Sequence, residues 1–323
     1  MLKLADKDAI LGAAVKEAEQ LLIGREAPHA PQEAIKRLYW AAQEGSVDAL
    51  LRLAAMTATG RDIATVLPKA AQLLLLAANL GSGFARDQLM LLVDEHHKLQ
   101  FSSTMNWSDI RDAINIGVWL EKPGIMDLRQ DPLIRHVSNV VPSQVCRWLI
   151  SRAATGLKPA LVQVGYEGQP KSDGSRSCST FMINILNADV IISLVRTRIG
   201  QIVETAIERF EPPQILHYGV GEEFSAHYDF LRRKDESDPG GYEGERASTF
   251  LLYLNDDYEG GRTIFPKVEL SIRAKAGDAL WFRNLDGDGR PDKATLHAGT
   301  PVEAGEKWVL SQWIHDRRFS AGR

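Results

Sequence analysis

The sequence predicts an α+β protein, with a helical front followed by a strand-rich back of the sandwich or jelly-roll kind. Three observations carry this. Residues 5–98 are rich in Ala, Leu, Glu, Lys and Gln, with apolar residues at helical spacing. Part of that region repeats itself at a fixed offset. From Glu211 onward, short β-branched and aromatic runs alternate with Gly, Pro and Asp turns.

In the front region, Ala41 to Ala49 aligns with Ala77 to Ala85, an offset of 77 − 41 = 36 residues. Gly45 and Gly81 end one helix of each unit, and a second helix begins near Asp48 and near Ala85. Two units are few for a free solenoid, because stacked repeats bury a continuous core only when several are present. This part, roughly residues 30–95, resembles Sel1-like repeats, a helix-turn-helix family related to tetratricopeptide repeats. The resemblance implies either a protein-docking surface or an extension that stabilises the rest of the chain. The expected organisation is a repeat region over 1–100, a linker over 101–130, and a second domain over 131–323 with its strand core at about 211–317.

Two helices are expected in the second domain, Pro142 to about Ala153 and Asp189 to Glu208, separated by an irregular stretch from Gln169 to Asn187. Strands follow at Gln214–Tyr218, Ala247–Leu254, Arg262–Phe265, Leu270–Arg273, Asp278–Phe282 and Lys307–Ile314. Asp286-x-Asp288-Gly289 resembles the start of a calcium loop, but an EF-hand needs a closing Glu where this chain has His297, so a turn is expected.

Composition narrows the function classes. A net charge of −4 and the absence of a basic stripe argue against nucleic acid as partner. The two cysteines, Cys146 and Cys178, exclude a disulfide framework and a cysteine-rich zinc site, and are expected to be small buried side chains. The first residues lack an apolar signal core, and no run is long and apolar enough to span a membrane, so the expected compartment is the cytoplasm.

The chemistry concentrates in His227-Tyr228-Asp229, with His297 at 297 − 229 = 68 residues past the Asp and Lys307 ten further on (307 − 297 = 10). Two imidazoles and one carboxylate are the ligand set of a mononuclear non-haem Fe(II) site that leaves coordination positions open. In an extended segment His227 and Asp229 share a face and Tyr228 turns away. Lys307 supplies a positive charge suited to the far carboxylate of 2-oxoglutarate. His-x-Asp alone is a common tripeptide; its neighbours give it weight.

Those neighbours are Tyr218-x-x-Gly221, Arg246-x-x-Thr249-x-x-x-Tyr253-Leu254, Gly260-Gly261-x-Thr263-x-Phe265-Pro266, Lys275-x-Gly277-Asp278-Ala279, and His297-Ala298-Gly299-x-Pro301-Val302-x-x-Gly305-x-Lys307-Trp308 with Trp313-Ile314-His315. In order and spacing, the region from about Arg135 to Phe319 resembles the 2-oxoglutarate/Fe(II) oxygenases of the prolyl 4-hydroxylase type. The resemblance implies a double-stranded β-helix with supporting helices. It implies His227, Asp229 and His297 as iron ligands, Lys307, Tyr218 and Thr263 as partners of 2-oxoglutarate, and Trp313 as a wall of that pocket. It also implies O2 as co-substrate, ascorbate in support, and hydroxylation of an aliphatic C–H with release of succinate and CO2. The substrate would be a prolyl residue in a peptide or protein, or a free amino acid or peptide natural product. A non-catalytic repeat scaffold is the contrasting class, against which the complete ligand set and Lys307 speak.

Several positions have a plainer or a double reading. Phe224 stands where many relatives carry Tyr shortly before the first ligand, and Glu222-Glu223 is more acidic than usual there. Arg176 is either a substrate-side residue or one half of a structural ion pair; Arg246 is expected to be structural. His217 should face away from Tyr218's side of its strand, and His315 should be structural or exposed. The polar loop 232–245 is expected to close over substrate, with Tyr242 as its aromatic contact.

Overall fold

The computed structural model describes residues 4–60, 65–93, 107–160, 177–231 and 244–319. Arg176, Tyr242 and most of the loop after the first two histidine-motif residues lie outside them. The chain forms two compact units, one comprising Met1–Glu121 with Asn184–Arg198 and the other Lys122–Ile183 with Ile199–Arg323.

The first unit is helical: α1 (Leu4–Ile23), α2 (Pro31–Gln43), α3 (Val47–Thr59), α4 (Leu67–Asn79) and α5 (Gly83–Leu92). The offset of 36 residues recurs in its backbone. Gly45 and Gly81 both take φ of 96°, where a side chain would be strained. Ser46 N–H donates to Ala41 O at 2.9 Å and Ser82 N–H to Ala77 O at 3.0 Å, closing Schellman caps on α2 and α4. The same serines then cap the next helices, accepting from Ala49 N at 3.3 Å and Ala85 N at 3.2 Å. Buried alanines such as Ala41, Ala54, Ala77 and Ala78 let the helices approach closely. The Asn184–Arg198 segment is fixed to this unit by Gln88, whose Oε1 accepts Val190 N–H at 2.9 Å. None of the described helices is long and apolar enough to cross a membrane.

The second unit contains helix α6 (Ser143–Ala154), the end of helix α7 (Val190–Ile202), and fourteen described strands. These are β1 (Gly124–Gln130), β2 (Leu133–Ser138), β3 (Lys158–Pro159), β4 (Ser179–Met182), β5 (Gln214–Tyr218), β6 (Phe224–His227), β7 (Arg246–Tyr253), β8 (Glu259–Gly260), β9 (Thr263–Phe265), β10 (Leu270–Ile272), β11 (Ala279–Arg283), β12 (His297–Gly299), β13 (Val302–Ala304) and β14 (Lys307–His315). The larger sheet runs β1-β2-β11-β7-β14-β5-β4-β3 and the smaller β10-β9-β12-β6, while β13 pairs with β8. Every strand pairing is antiparallel. Side chains from both sheets share one core, in which Phe265 and Ile272 of the smaller sheet meet Tyr253, Leu280, Phe282 and Val309 of the larger. Phe265 and Phe282 meet edge to face at 5.1 Å. Helices followed by two packed antiparallel sheets are consistent with a jelly-roll oxygenase.

The structure departs from expectation in three places. The expected linker, 101–130, holds 3-10 turns at Trp107–Ala113 and Gly117–Leu120 and then β1, which pairs with β2. The stretch expected to be irregular ends in β4, paired to β5. The second helix stops at Ile202 rather than Glu208, because Glu204 adopts φ of 52° and a separate 3-10 turn follows at Ile207–Arg209. Asp286 to Gly289 is a turn, with Asp286 Oδ1 accepting Asp288 N–H and Arg290 N–H, each at 2.9 Å.

Candidate metal centre and co-substrate pocket

His227 ends β6, His297 opens β12, and the two are direct cross-strand partners. Asp229 lies two residues past His227 and is buried. Ligating atoms of the three side chains all fall within 4.8 Å of one another. His227 Nε2 is 3.6 Å from Asp229 Oδ1, and His297 Nε2 is 3.5 Å from Asp229 Oδ2. Tyr228 points elsewhere, stacked on Phe230 at 4.7 Å and accepting from Lys267 Nζ at 3.1 Å.

The tautomers suit a metal. His227 Nδ1 lies 2.8 Å from Ser225 O and His297 Nδ1 lies 3.0 Å from Thr295 O. A carbonyl only accepts, so each Nδ1 carries the proton and each Nε2 presents its lone pair to the centre of the triad. Phe224 stacks on His227 at 3.5 Å and Phe282 meets His297 edge-on at 4.8 Å, fixing both ring planes. Burial works against ionisation of Asp229. The Arg246 guanidinium, the Thr249 hydroxyl and the two imidazoles beside it overcome this and hold the carboxyl below its usual range. The donor set therefore fits a divalent ion that prefers mixed nitrogen and oxygen ligands.

Four further expected site residues open onto the same pocket. Tyr218, Thr263, Lys307 and Trp313 line it together with the triad. Lys307 sits opposite Tyr218 in the β14–β5 ladder, and Trp313 opposite Thr249 in the β14–β7 ladder. Alternation along β14 turns Lys307, Val309, Ser311 and Trp313 to the pocket. Lys307 is buried; its Nζ donates to Gly261 O at 2.6 Å and lies 5.4 Å from the Tyr218 ring centre. Among the described residues no carboxylate pairs with it. Burial pushes its ammonium down to about 8. A buried cation on a pocket wall can pair with an incoming carboxylate. Thr263 shares a 2.7 Å hydrogen bond with the Tyr253 hydroxyl.

Residues with plainer readings fall outside the pocket. Arg246 makes a two-pronged pair with Glu211 at 2.6 and 2.9 Å and lies 3.8 Å over the Trp313 ring. His315 is buried and bonds Glu211 at 2.7 Å. His217 packs on Trp308 at 4.3 Å with Nε2 3.2 Å from the Glu306 carboxylate. Cys146 and Cys178 are buried and form no disulfide. The motif that contains Thr249 gave it no role, and Asn284 was not singled out; the Thr249 hydroxyl lies 2.7 Å from Asp229 Oδ2, and the Asn284 amide donates to Thr249 at 3.0 Å. The available signal was alternation along β7, which puts Thr249, Leu251 and Tyr253 on one face.

Comparison with known proteins follows this geometry. Residues 213–315 match the family model of the 2OG-Fe(II) oxygenase superfamily. Prolyl 4-hydroxylase 5 of Arabidopsis thaliana is 31% identical over 201 residues, covering 56% of this chain and 67% of the plant protein. The chain belongs to the prolyl 4-hydroxylase-like 2OG-Fe(II) oxygenases. Prolyl 4-hydroxylase subunit alpha-1 of Mus musculus is 34% identical over 202 residues, or 61% of this chain, and the match covers only 35% of that subunit's length. The viral collagen prolyl hydroxylase of Paramecium Bursaria Chlorella virus-1, solved with 2OG, aligns at 25% identity and a TM-score of 0.45 over 56% of this chain and 94% of its own. Membership implies Fe(II), 2-oxoglutarate and O2 as the reaction partners of this 2OG-Fe(II) oxygenase.

Proposed function

We propose that this oxygenase hydroxylates an aliphatic C–H of a prolyl residue in a peptide or protein. One 2-oxoglutarate and one O2 are consumed for each succinate, CO2 and hydroxylated product. The observation that carries the reading is the pairing, in one pocket, of a two-histidine, one-carboxylate cluster with the buried Lys307, which meets no carboxylate among the described residues. The prolyl substrate comes from likeness to the prolyl 4-hydroxylases of plant and mouse.

In this reading His227, Asp229 and His297 hold Fe(II). Lys307 pairs with the distal carboxylate of 2-oxoglutarate, assisted by the hydroxyls of Tyr218 and Thr263, and Trp313 walls the pocket. O2 would be the oxidant, and bound iron with 2-oxoglutarate as the electron donor would activate it; the chain supplies position and exclusion of water. Phe224, Leu251 and Val309 make the rest of the wall apolar, which limits water around the reacting groups. Ascorbate would sustain turnover by keeping the iron reduced. Two buried cysteines that form no disulfide favour a reducing compartment such as the cytoplasm. The matched caps of the helical unit favour Sel1-like repeats, which either dock a protein or support the oxygenase.

The test is anaerobic addition of Fe(II) and 2-oxoglutarate, with the visible charge-transfer band as readout. The band should vanish in His297→Ala and weaken in Lys307→Ala. Succinate release should then be screened with proline-containing peptides and with free amino acids. Absence of the band in folded, metal-loaded wild type would overturn the reading. Turnover of free amino acids alone would move the substrate from peptides to small molecules.

A further inference from the structure

Both oxygens of Asp229 lie near imidazole nitrogens, Oδ1 at 3.6 Å from His227 Nε2 and Oδ2 at 3.5 Å from His297 Nε2. Placement alone would therefore let either oxygen, or both, bond an ion held between the imidazoles. The Thr249 hydroxyl breaks this symmetry. Its Oγ1 lies 2.7 Å from Oδ2 and accepts Asn284 Nδ2–H at 3.0 Å. An amide NH2 only donates, so it occupies a hydroxyl lone pair and directs the hydroxyl proton onto the carboxylate. Thr249 and Asn284 are wholly buried, on β7 and just past β11. No solvent competes for these bonds, and a hydrogen bond to a charged acceptor in such surroundings is a strong one.

We infer that Thr249, oriented by Asn284, is a positioning residue that limits Asp229 to a single metal bond. This rests on the metal-site reading above. With Oδ2 engaged by the hydroxyl, Oδ1 alone serves the metal, and a coordination position remains for O2 once 2-oxoglutarate is bound. Without the hydroxyl, the freed Oδ2 turns toward the ion and competes for that position. Thr249 touches neither substrate nor metal in this scheme; it acts through the carboxylate.

The experiment uses the full chain with Fe(II) and 2-oxoglutarate under anaerobic conditions, titrated with nitric oxide as an uncharged stand-in for O2. The iron–nitrosyl paramagnetic resonance signal reports occupancy of the open position without turnover. Thr249→Val keeps the shape and removes the hydroxyl; Thr249→Ser keeps the hydroxyl. Wild type and Thr249→Ser should bind nitric oxide alike. Thr249→Val should retain the 2-oxoglutarate charge-transfer band yet bind nitric oxide about tenfold more weakly, the size expected for one charge-assisted hydrogen bond. Equal nitric oxide affinity in Thr249→Val overturns the inference. So does outright loss of iron binding in a folded variant, which would make Thr249 a determinant of metal affinity rather than of carboxylate bonding. If Thr249→Val does not fold, Asn284→Ala frees the hydroxyl to rotate and should move the same readout in the same direction; no change there also overturns it. A wild type without the charge-transfer band refutes the oxygenase reading itself, a result distinct from either.

Discussion

The charge state of Lys307 makes a quantitative prediction. Burial lowers its ammonium from 10.5 to about 8. The difference, 10.5 − 8 = 2.5 units, corresponds to roughly 3 kcal/mol by which the pocket disfavours the charge. The folded chain holds the proton less tightly than the unfolded one. Between about pH 8 and the ordinary lysine value the unfolded state therefore binds more protons, and stability of the ligand-free protein rises with pH. Co-substrate binding runs the other way, because only the ammonium pairs with a carboxylate. Affinity for 2-oxoglutarate should be flat below about pH 8 and fall about tenfold for each unit above it, with proton uptake on binding. Calorimetric titration of 2-oxoglutarate into Mn(II)-loaded protein, in buffers of different ionisation enthalpy, measures both. Lys307→Met leaves the arriving carboxylate buried and unpaired, a loss of about 3 kcal/mol or more and thus upwards of 100-fold in Kd. A 2-oxo acid without the distal carboxylate should lose far less. An affinity that stays level from about pH 7 to about pH 9, or a Lys307→Met variant that still prefers 2-oxoglutarate over 2-oxobutyrate, would refute this account of the pocket.

Three further outcomes follow from the same geometry. Gly261 has φ of +55°, and an added Cβ would lie 3.0 Å from Tyr258 Cε2 and 3.2 Å from Lys307 Cδ, so Gly261→Ala should weaken 2-oxoglutarate binding while leaving Mn(II) affinity unchanged, as titration of each would show. Arg246→Met removes the two-pronged partner of the buried Glu211; breaking such a pair costs about 3 kcal/mol or more, so the calorimetric transition should fall by roughly 6 °C or more. Ser46→Ala and Ser82→Ala each delete one equivalent N-cap in the helical unit, and denaturant melts should show about 1 kcal/mol lost in each and near-additive loss in the pair.

The metal cluster was legible because its chemistry is written in residue types. Period-two alternation then placed His227 beside Asp229 without any tertiary information, whereas Trp313 came only from the family resemblance. The helix ends at Gly45 and Gly81 were legible from the repeat, while the Ser46 and Ser82 caps emerge only from the structure. The strands β1 to β4 were not. β1, Gly-Ile-Met-Asp-Leu-Arg-Gln, is exposed along nearly its whole length and shows no alternation; it is a strand because β2 offers it a partner. β4 spans four residues and depends likewise on β5. Helix α7 overran in the sequence reading because Val203-Glu204-Thr205 continues a plausible pattern, while the chain turns there through the left-handed conformation of Glu204. The Glu211, Arg246 and His315 network was invisible for the same reason, since its members come from three segments and meet only through β7 and β14 pairing.

The two halves of the site depend on two different pairings. The imidazoles belong to the smaller sheet, where β6 and β12 bring His227 opposite His297. The co-substrate anchors belong mainly to the larger sheet, where β14 and β5 bring Lys307 opposite Tyr218. A slip of one residue in β14 would turn Lys307 away and put Trp308 in its place, because the side-chain period of a strand is two. That slip would leave the triad intact. It is opposed by Asn255, whose Oδ1 accepts Trp308 N–H at 2.8 Å while its Nδ2 donates to Glu306 O at 2.6 Å. One half-buried side chain, Asn255, thus pins the start of β14 at the residues on both sides of Lys307. Asn255→Ala should accordingly weaken 2-oxoglutarate binding with little effect on Mn(II) affinity, and an equal loss of both in paired titrations would show that the two sheets do not hold the site independently.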